Sequence, residues 1–228
     1  GFAVSLHGMG ANVGEVLGPI IVAGMLSLLL WRDVLKVSAI PAILIGFVIW
    51  ASIRSLQGNE KSGITSIGDY KTSIKALLKN RVLMVLVLAV ALRAIGEGAI
   101  AVFLPVLLRE ELRYPSSIVA IYLTSAKLAG LASQPTMGFL SDRFGRKAVL
   151  VPATAITSLL AFGLSAAEPG IQLFIIIVAN GAFAFSLHHI FIAAAIDASE
   201  GSLQSTVVSL IYGAGVIAVF SPYVAGII

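Results

Sequence analysis

The chain has 228 residues, 58% of them apolar and only 11% charged, with a formal net charge of +4 and a mean hydropathy of +1.02. An ordinary globular domain carries roughly a quarter charged residues, so most soluble classes are excluded, and with no basic stripe to meet phosphates so is a nucleic-acid partner. Cysteine is absent, which removes disulfides, thiolate metal sites and thiol nucleophiles.

The few charges sit in short clusters between long apolar runs. A bilayer core of about 30 Å takes about 20 helical residues. By that measure the sequence predicts seven spans: 3–31, 35–56, 82–108, 116–140, 148–166, 171–195 and 204–228. The ten-residue alternation of a membrane β-barrel is missing. The expected fold class is therefore an all-α integral membrane protein with about seven transmembrane helices. Gly1 stands where a start Met would, no basic leader precedes the first span, and Ile228 falls inside the last. The chain reads as a fragment that works with the missing remainder of its own chain.

The first span carries His7, Asn12 and the run Gly14-Glu15-Val16-Leu17-Gly18-Pro19. Gly14 and Gly18 predict a flat face for close helix packing, and Pro19 a kink. Trp31-Arg32-Asp33 breaks the first pair of spans. After the second comes the one long polar stretch, with Arg54, Lys61, Lys71, Lys75, Lys79 and Arg81 against Glu60 and Asp69. Its end, residues 73–79, has the spacing of a short amphipathic helix lying at the interface. The third span holds Arg93 and Glu97, four apart and so on one helical face, beside Gly96 and Gly98. The fourth holds Lys127 and ends in Gly138-Phe139-Leu140-Ser141-Asp142-Arg143-Phe144-Gly145-Arg146-Lys147. In that string Gly138 allows close helix approach, Asp142 offers a carboxylate to the positive end of another helix, and Gly145 permits a sharp turn. The sixth span offers Asn180, His188 and His189 and ends at Asp197; Ser221-Pro222 marks a kink in the seventh. Neither histidine has a second ligand three or four residues away, so no metal and no other cofactor is expected.

Lys and Arg number nine on the faces holding 54–81, 143–147 and 197–203, against Arg32, Lys36, Arg109 and Arg113 opposite. The positive-inside rule makes the first set cytoplasmic and starts the first span inside.

The string from Gly138 to Lys147 resembles the loop signature of the major facilitator superfamily, G-x-L-x-D-R-x-G-R-K, at every fixed position. In that family the signature joins spans two and three and recurs between spans eight and nine. Taken as the second copy, it makes the seven spans five to eleven of twelve. Residues 1–56 are then the last two spans of the N-terminal half, 57–81 the cytoplasmic inter-half linker, and 82–228 the first five spans of the C-terminal half. The run from Gly14 to Pro19, with Gly24, is similar in part to the family's fifth-span G-x-x-x-G-P-x-x-G-G pattern, associated with proton-coupled exporters. It departs from it at Val22 and Ala23, and at Ser5 upstream.

The resemblance implies secondary transport of a small solute by alternating access, with proton coupling as symport or antiport. It implies a cytoplasmic gating motif of Gly138, Asp142, Arg143, Gly145, Arg146 and Lys147, with Asp197 paired to Arg146 or Arg143. An inner membrane of a bacterium or archaeon is the expected location. Ionisable groups at membrane depth are functional candidates by default. In one reading Arg93 or Lys127 binds an anionic group of the substrate while Glu97 or Glu15 takes up the proton, with Asn180 and His188 also in the cavity. In the other, Arg93–Glu97 and Lys127–Glu15 lock helices together. A facilitative uniporter is one alternative, and a seven-helix receptor, which would start outside, another. No enzyme activity is expected: there is no catalytic pair and no G-x-x-x-x-G-K-[ST] loop.

Overall fold

The computed structural model describes residues 2–26, 28–56, 74–199 and 204–226. They form helices α1 (Phe2–Leu26), α2 (Trp31–Leu56), α3 (residues 74–79), α4 (Arg81–Val106), α5 (Ser116–Phe144), α6 (Arg146–Leu164), α7 (Ile171–Ala198), α8 (Gln204–Gly215) and α9 (Ser221–Ala225), with no strand among the described residues. In hydrocarbon each backbone N–H and C=O must be paired within the protein, and a helix pairs them within its own segment. Six helical stretches are long and apolar enough to cross a membrane. The shortest has 19 residues, roughly 28 Å at 1.5 Å per residue. α1 adds a further helix of 25 residues. The fold is an all-α membrane bundle, as its composition predicts.

The chain divides into two compact units, residues 14–71 and residues 1–13 with 72–228. In the first unit the second part of α1 leads into α2, whose apolar side chains from Leu35 to Trp50 are exposed. That surface suits lipid rather than water. A Cβ placed on Gly14 or Gly18 would meet no atom within 4 Å, so the close helix packing expected of these two glycines is not made within the described residues. The side chain of Pro19 and most of the basic linker (residues 57–73) lie outside the described residues, as does the turn at 200–203.

The second unit is built around α7, half of whose most apolar stretch is buried. α5 lies closest to it. A Cβ on Gly181 would strike the backbone of Ala126, and one on Gly130 would strike Phe185 and the Gly181 carbonyl. Two glycines facing each other let the backbones approach, as membrane helix pairs commonly do. One apolar cluster joins Leu83 and Val90 of α4 to Val149 and Leu150 of α6, Leu187 and Ile190 of α7, and Val207 and Ile211 of α8. Leu77 of α3 enters the same cluster, so the short amphipathic helix buries one side against the bundle.

Helix ends differ in places from expectation. α4 does not stop near residue 108: beyond Pro105 it widens into a π turn at Leu107–Glu111, where Leu112 N–H donates to the Leu107 carbonyl at 3.0 Å. The left-handed Arg113 (φ 53°) ends it. α5 runs past residue 140 to Phe144, and a single residue, Gly145 at φ 93°, separates it from α6. A side chain is strained at that φ, which accounts for the glycine. The last span is not one helix. A 3₁₀ segment at Val216–Phe220 divides α8 from α9, with Ser221-Pro222 starting α9.

Candidate functional site

Two polar clusters lie within the larger unit. The first is midway along the helices. Arg93 and Glu97, one turn apart on α4, form an ion pair. The Arg93 side chain is only 10% exposed. Its Nη1 also donates to the Ala184 carbonyl of α7 at 3.2 Å, and its Cζ lies 5.7 Å from the centre of the Phe191 ring. Arg93 Nε is buried with no hydrogen-bond partner among the described residues.

Two adjoining cavities meet at Glu97, and Arg93 lines one of them. One, of about 440 Å³, is walled by Ile100, Leu104, Leu123, Ile177 and Phe185, with Glu97, Lys127 and Asn180 as its polar groups. The other, of about 390 Å³, is lined by Arg93, Glu97 and Asn180 together with Thr154, Thr157 and Ser158 of α6. Glu97, Ile100 and Asn180 line both. Asn180 Nδ2 donates to the Thr157 carbonyl at 3.2 Å, which orients its amide. Glu97 and Asn180 thus share one cavity with Lys127 and the other with Arg93.

The other candidates stand elsewhere. His188 faces α8, its ring 5.0 Å from that of Tyr212. His189 instead covers α1, where a Cβ on Gly8 would overlap its ring. The side chain of His7 lies outside the described residues. Glu15 is exposed and belongs to the smaller unit.

The second cluster surrounds the turn at Gly145. Arg146 Nε donates to Asp197 Oδ2 at 2.7 Å, and Nη1 to Ser141 Oγ at 2.9 Å and to Asp142 Oδ1. The other Asp142 oxygen accepts the Phe2 N–H at 2.6 Å. One guanidinium thereby ties α5 to α7, and one carboxylate ties both to the first turn of α1. Gly138 is the contact point with α1, since a Cβ there would crowd Ser5 Oγ and approach Phe2 Cα. Of the two arginines expected opposite Asp197, Arg146 makes the pair. Arg143 is exposed, its Cζ 5.6 Å from the Phe144 ring, and Lys147 is exposed as well.

Sequence reasoning missed a polar seam between α5 and α7. Ser133 and Ser186 share a 2.6 Å hydrogen bond, and the fully buried Gln134 donates to the Phe185 carbonyl at 3.1 Å. Adjacent Ser133-Gln134 within a span was the available signal, since uncharged polar side chains in hydrocarbon usually seek a neighbouring helix.

An apolar bundle of membrane-length helices, with an ion pair beside cavities midway along them, defines a polytopic membrane protein. The Major Facilitator Superfamily model matches residues 1–124 and again residues 86–228, so the chain belongs to this family. It is a multi-pass membrane transporter of the major facilitator type. No solved structure matches it.

Proposed function

We propose that this chain serves a secondary active transporter, which carries a small solute by alternating access and couples it to protons. In this reading residues 1–56 close the N-terminal half, 57–81 link the halves on the cytoplasmic side, and 82–228 open the C-terminal half of a transporter in a bacterial or archaeal inner membrane. The observation that carries the proposal is the Arg93–Glu97 ion pair, with Glu97 on the wall of two cavities and Arg93 on the wall of one. A charge pair at that depth is costly unless it is used, and a carboxylate that can be neutralised is the simplest proton carrier. Lys127 and Asn180 add polar contacts for the solute. The cluster of Asp142, Arg146 and Asp197 acts as the cytoplasmic latch: its charge-assisted hydrogen bonds break and re-form as the halves rock.

The test uses the intact protein in liposomes under an imposed pH gradient, reading lumenal pH while solutes are added. Proton movement that follows one solute class and is lost in Glu97→Gln supports the proposal. Solute flux without proton movement, unchanged in Glu97→Gln and Arg93→Ala, makes the charges structural and the protein a uniporter.

A further inference from the structure

We infer that the last span is a hinged helix: α8 stays with the core of the bundle, while α9 swings as a separate arm about the 3₁₀ segment Val216–Phe220, with the backbone at Gly98 of α4 as the bearing on which the hinge turns. No particular solute or coupling ion is needed for this movement.

The break has a chemical cause. An unbroken helix would carry an N–H from residue 222 to the Ala218 carbonyl, and Pro222 has none. Gly213 and Gly215 weaken the helix just before it. At membrane depth the backbone groups that a helix gives up need other partners. Ser221 supplies them: its N–H donates to the Ala218 carbonyl, and its hydroxyl donates to the same oxygen at 2.8 Å. Ser221 is itself only 2% exposed. Because these bonds lie inside the hinge, they turn with it and strand no buried donor.

α4 offers bare backbone at the same level. A Cβ on Gly98 would crowd Ser221 Oγ and the Ala218 carbonyl, so no side chain of residue 98 stands between the hinge and α4. Such a seat lets the segment turn without side chains having to interlock anew. Gly98 follows Glu97, which places the bearing at the depth of the cavities. The two arms of the span are held unequally. On α8, Val207 and Ile211 are fully buried in the apolar cluster that joins α4, α6 and α7. The 3₁₀ segment buries no side chain, and Phe220 and Tyr223 are exposed. Further along, a Cβ on Gly226 would reach Phe103 of α4 only at 3.8 Å, a light van der Waals contact. A 3₁₀ stretch in mid-helix often marks a hinge, and regions with few buried contacts open at low cost. A swing of α9, toward the end opposite Gly145, changes the gap between the last span and α4 there and leaves the packed half in place.

The test measures spin-label distances by pulsed electron paramagnetic resonance on the intact protein in lipid nanodiscs. This chain has no cysteine, so labels at introduced cysteines are unique once any cysteine elsewhere in the protein is replaced. One pair joins Leu159→Cys on α6 to Tyr223→Cys on α9, and the other joins Leu159→Cys to Ser209→Cys on α8; all three positions are exposed. The α6–α9 distribution is expected to be about twice as wide as the α6–α8 distribution. Pro222→Ala restores an N–H for the Ala218 carbonyl and should narrow the first distribution to the width of the second, which stays unchanged. Gly98→Ala should shift the α6–α9 mean, because the added methyl displaces Ser221, and leave α6–α8 where it is. Equal widths without either substitution would make the break a rigid kink and overturn the inference. So would two distances that vary together, since the span would then move as one body, or a Pro222→Ala variant as wide as its parent. If Pro222→Ala disturbs the fold, seen as an altered α6–α8 distance, the comparison of widths and Gly98→Ala decide the matter, and a Gly98→Ala that shifts neither distance or both alike overturns the hinge.

Discussion

The two ends of the larger unit are held by opposite chemistry. At the Gly145 end, Arg146, Asp142, Asp197, Ser141 and the Phe2 N–H form one hydrogen-bonded lattice across α1, α5 and α7. At the other end, Leu108, Tyr122, Leu173 and Ile177 make a buried apolar cluster. There the Tyr122 ring lies 5.1 Å from Phe174 and 5.7 Å from Tyr114, and its hydroxyl donates to the Gly170 carbonyl at 3.0 Å. Ionic hydrogen bonds can be exchanged for water or other partners at modest cost, whereas an apolar cluster loses all its contacts when it opens. The contrast sets an end whose contacts solvent and salt can weaken against an end held by packing.

The largest effect is expected where packing dominates. Tyr122→Ala removes a buried aromatic ring and should cost about 3–5 kcal/mol, read as a fall in the detergent unfolding midpoint. The loss should be the same at low and high salt. A cost below that of Arg146→Ala would reverse the assignment of the two ends. Next comes the seam that joins them. Gly181→Ala sets a Cβ against the backbone of Ala126, which cannot turn aside as a side chain could, so α5 and α7 must separate. A loss of about 1–3 kcal/mol is expected, together with weaker protection of both ends in hydrogen exchange. Protection lost at one end alone would show that the ends are fastened independently.

At the ionic end the expected loss is smaller. Arg146 is 23% exposed, and its partners Asp142 and Asp197 are 39% and 56% exposed, so solvent screens them and Arg146→Ala should cost about 1–2 kcal/mol. Salt is the sharper test. As the screening length falls from about 10 Å at 0.1 M to about 3 Å at 1 M, the gap between wild type and variant should narrow. A gap that widens with salt would mean that Arg146 acts through packing of its aliphatic stem.

How much of this was legible in sequence depended on the kind of signal. The helical class and the order of the spans follow from hydropathy, because only long apolar helices satisfy a bilayer, though six of the seven expected spans are membrane-length apolar helices among the described residues. The Arg93–Glu97 pair was legible because four residues on a helix fixes neighbourhood, and the turn at Gly145 because its left-handed φ favours glycine. Gly14 and Gly18 meet no neighbour among the described residues, since small residues permit close approach without requiring it. Gly138 makes the close contact its motif suggests, whereas Gly130, Gly181 and Gly8 make contacts as intimate with nothing in their immediate sequence to mark them. Which face of α7 meets which neighbour was hidden too, since Asn180, Ser186, His188 and His189 are spread around that helix and define no single polar side. Ser133 and Gln134 escaped because a polar side chain inside a span can bond to its own helix, and only the fold shows that these reach across to α7.

The smallest effect separates two roles of one residue near the ionic end. Asn80 caps α4, its Oδ1 accepting from Val82 N–H at 3.0 Å and Leu83 N–H at 3.2 Å, while its Nδ2 donates to the Ala198 carbonyl at the end of α7 at 2.9 Å. Asn80→Ala removes both and should cost about 1 kcal/mol or slightly more. Asn80→Asp keeps the acceptor, and its negative charge favours the N-terminus of α4, but it loses the donor and sets a carboxylate against a carbonyl. If capping matters more, Asn80→Asp should match wild type in unfolding midpoint within a few tenths of a kcal/mol. If the tie to α7 matters more, Asp and Ala should fall together, and faster hydrogen exchange should be confined to the last turn of α7. The second result would extend the ionic lattice beyond Asp197 to Ala198 and place α4 among the helices fastened at that end.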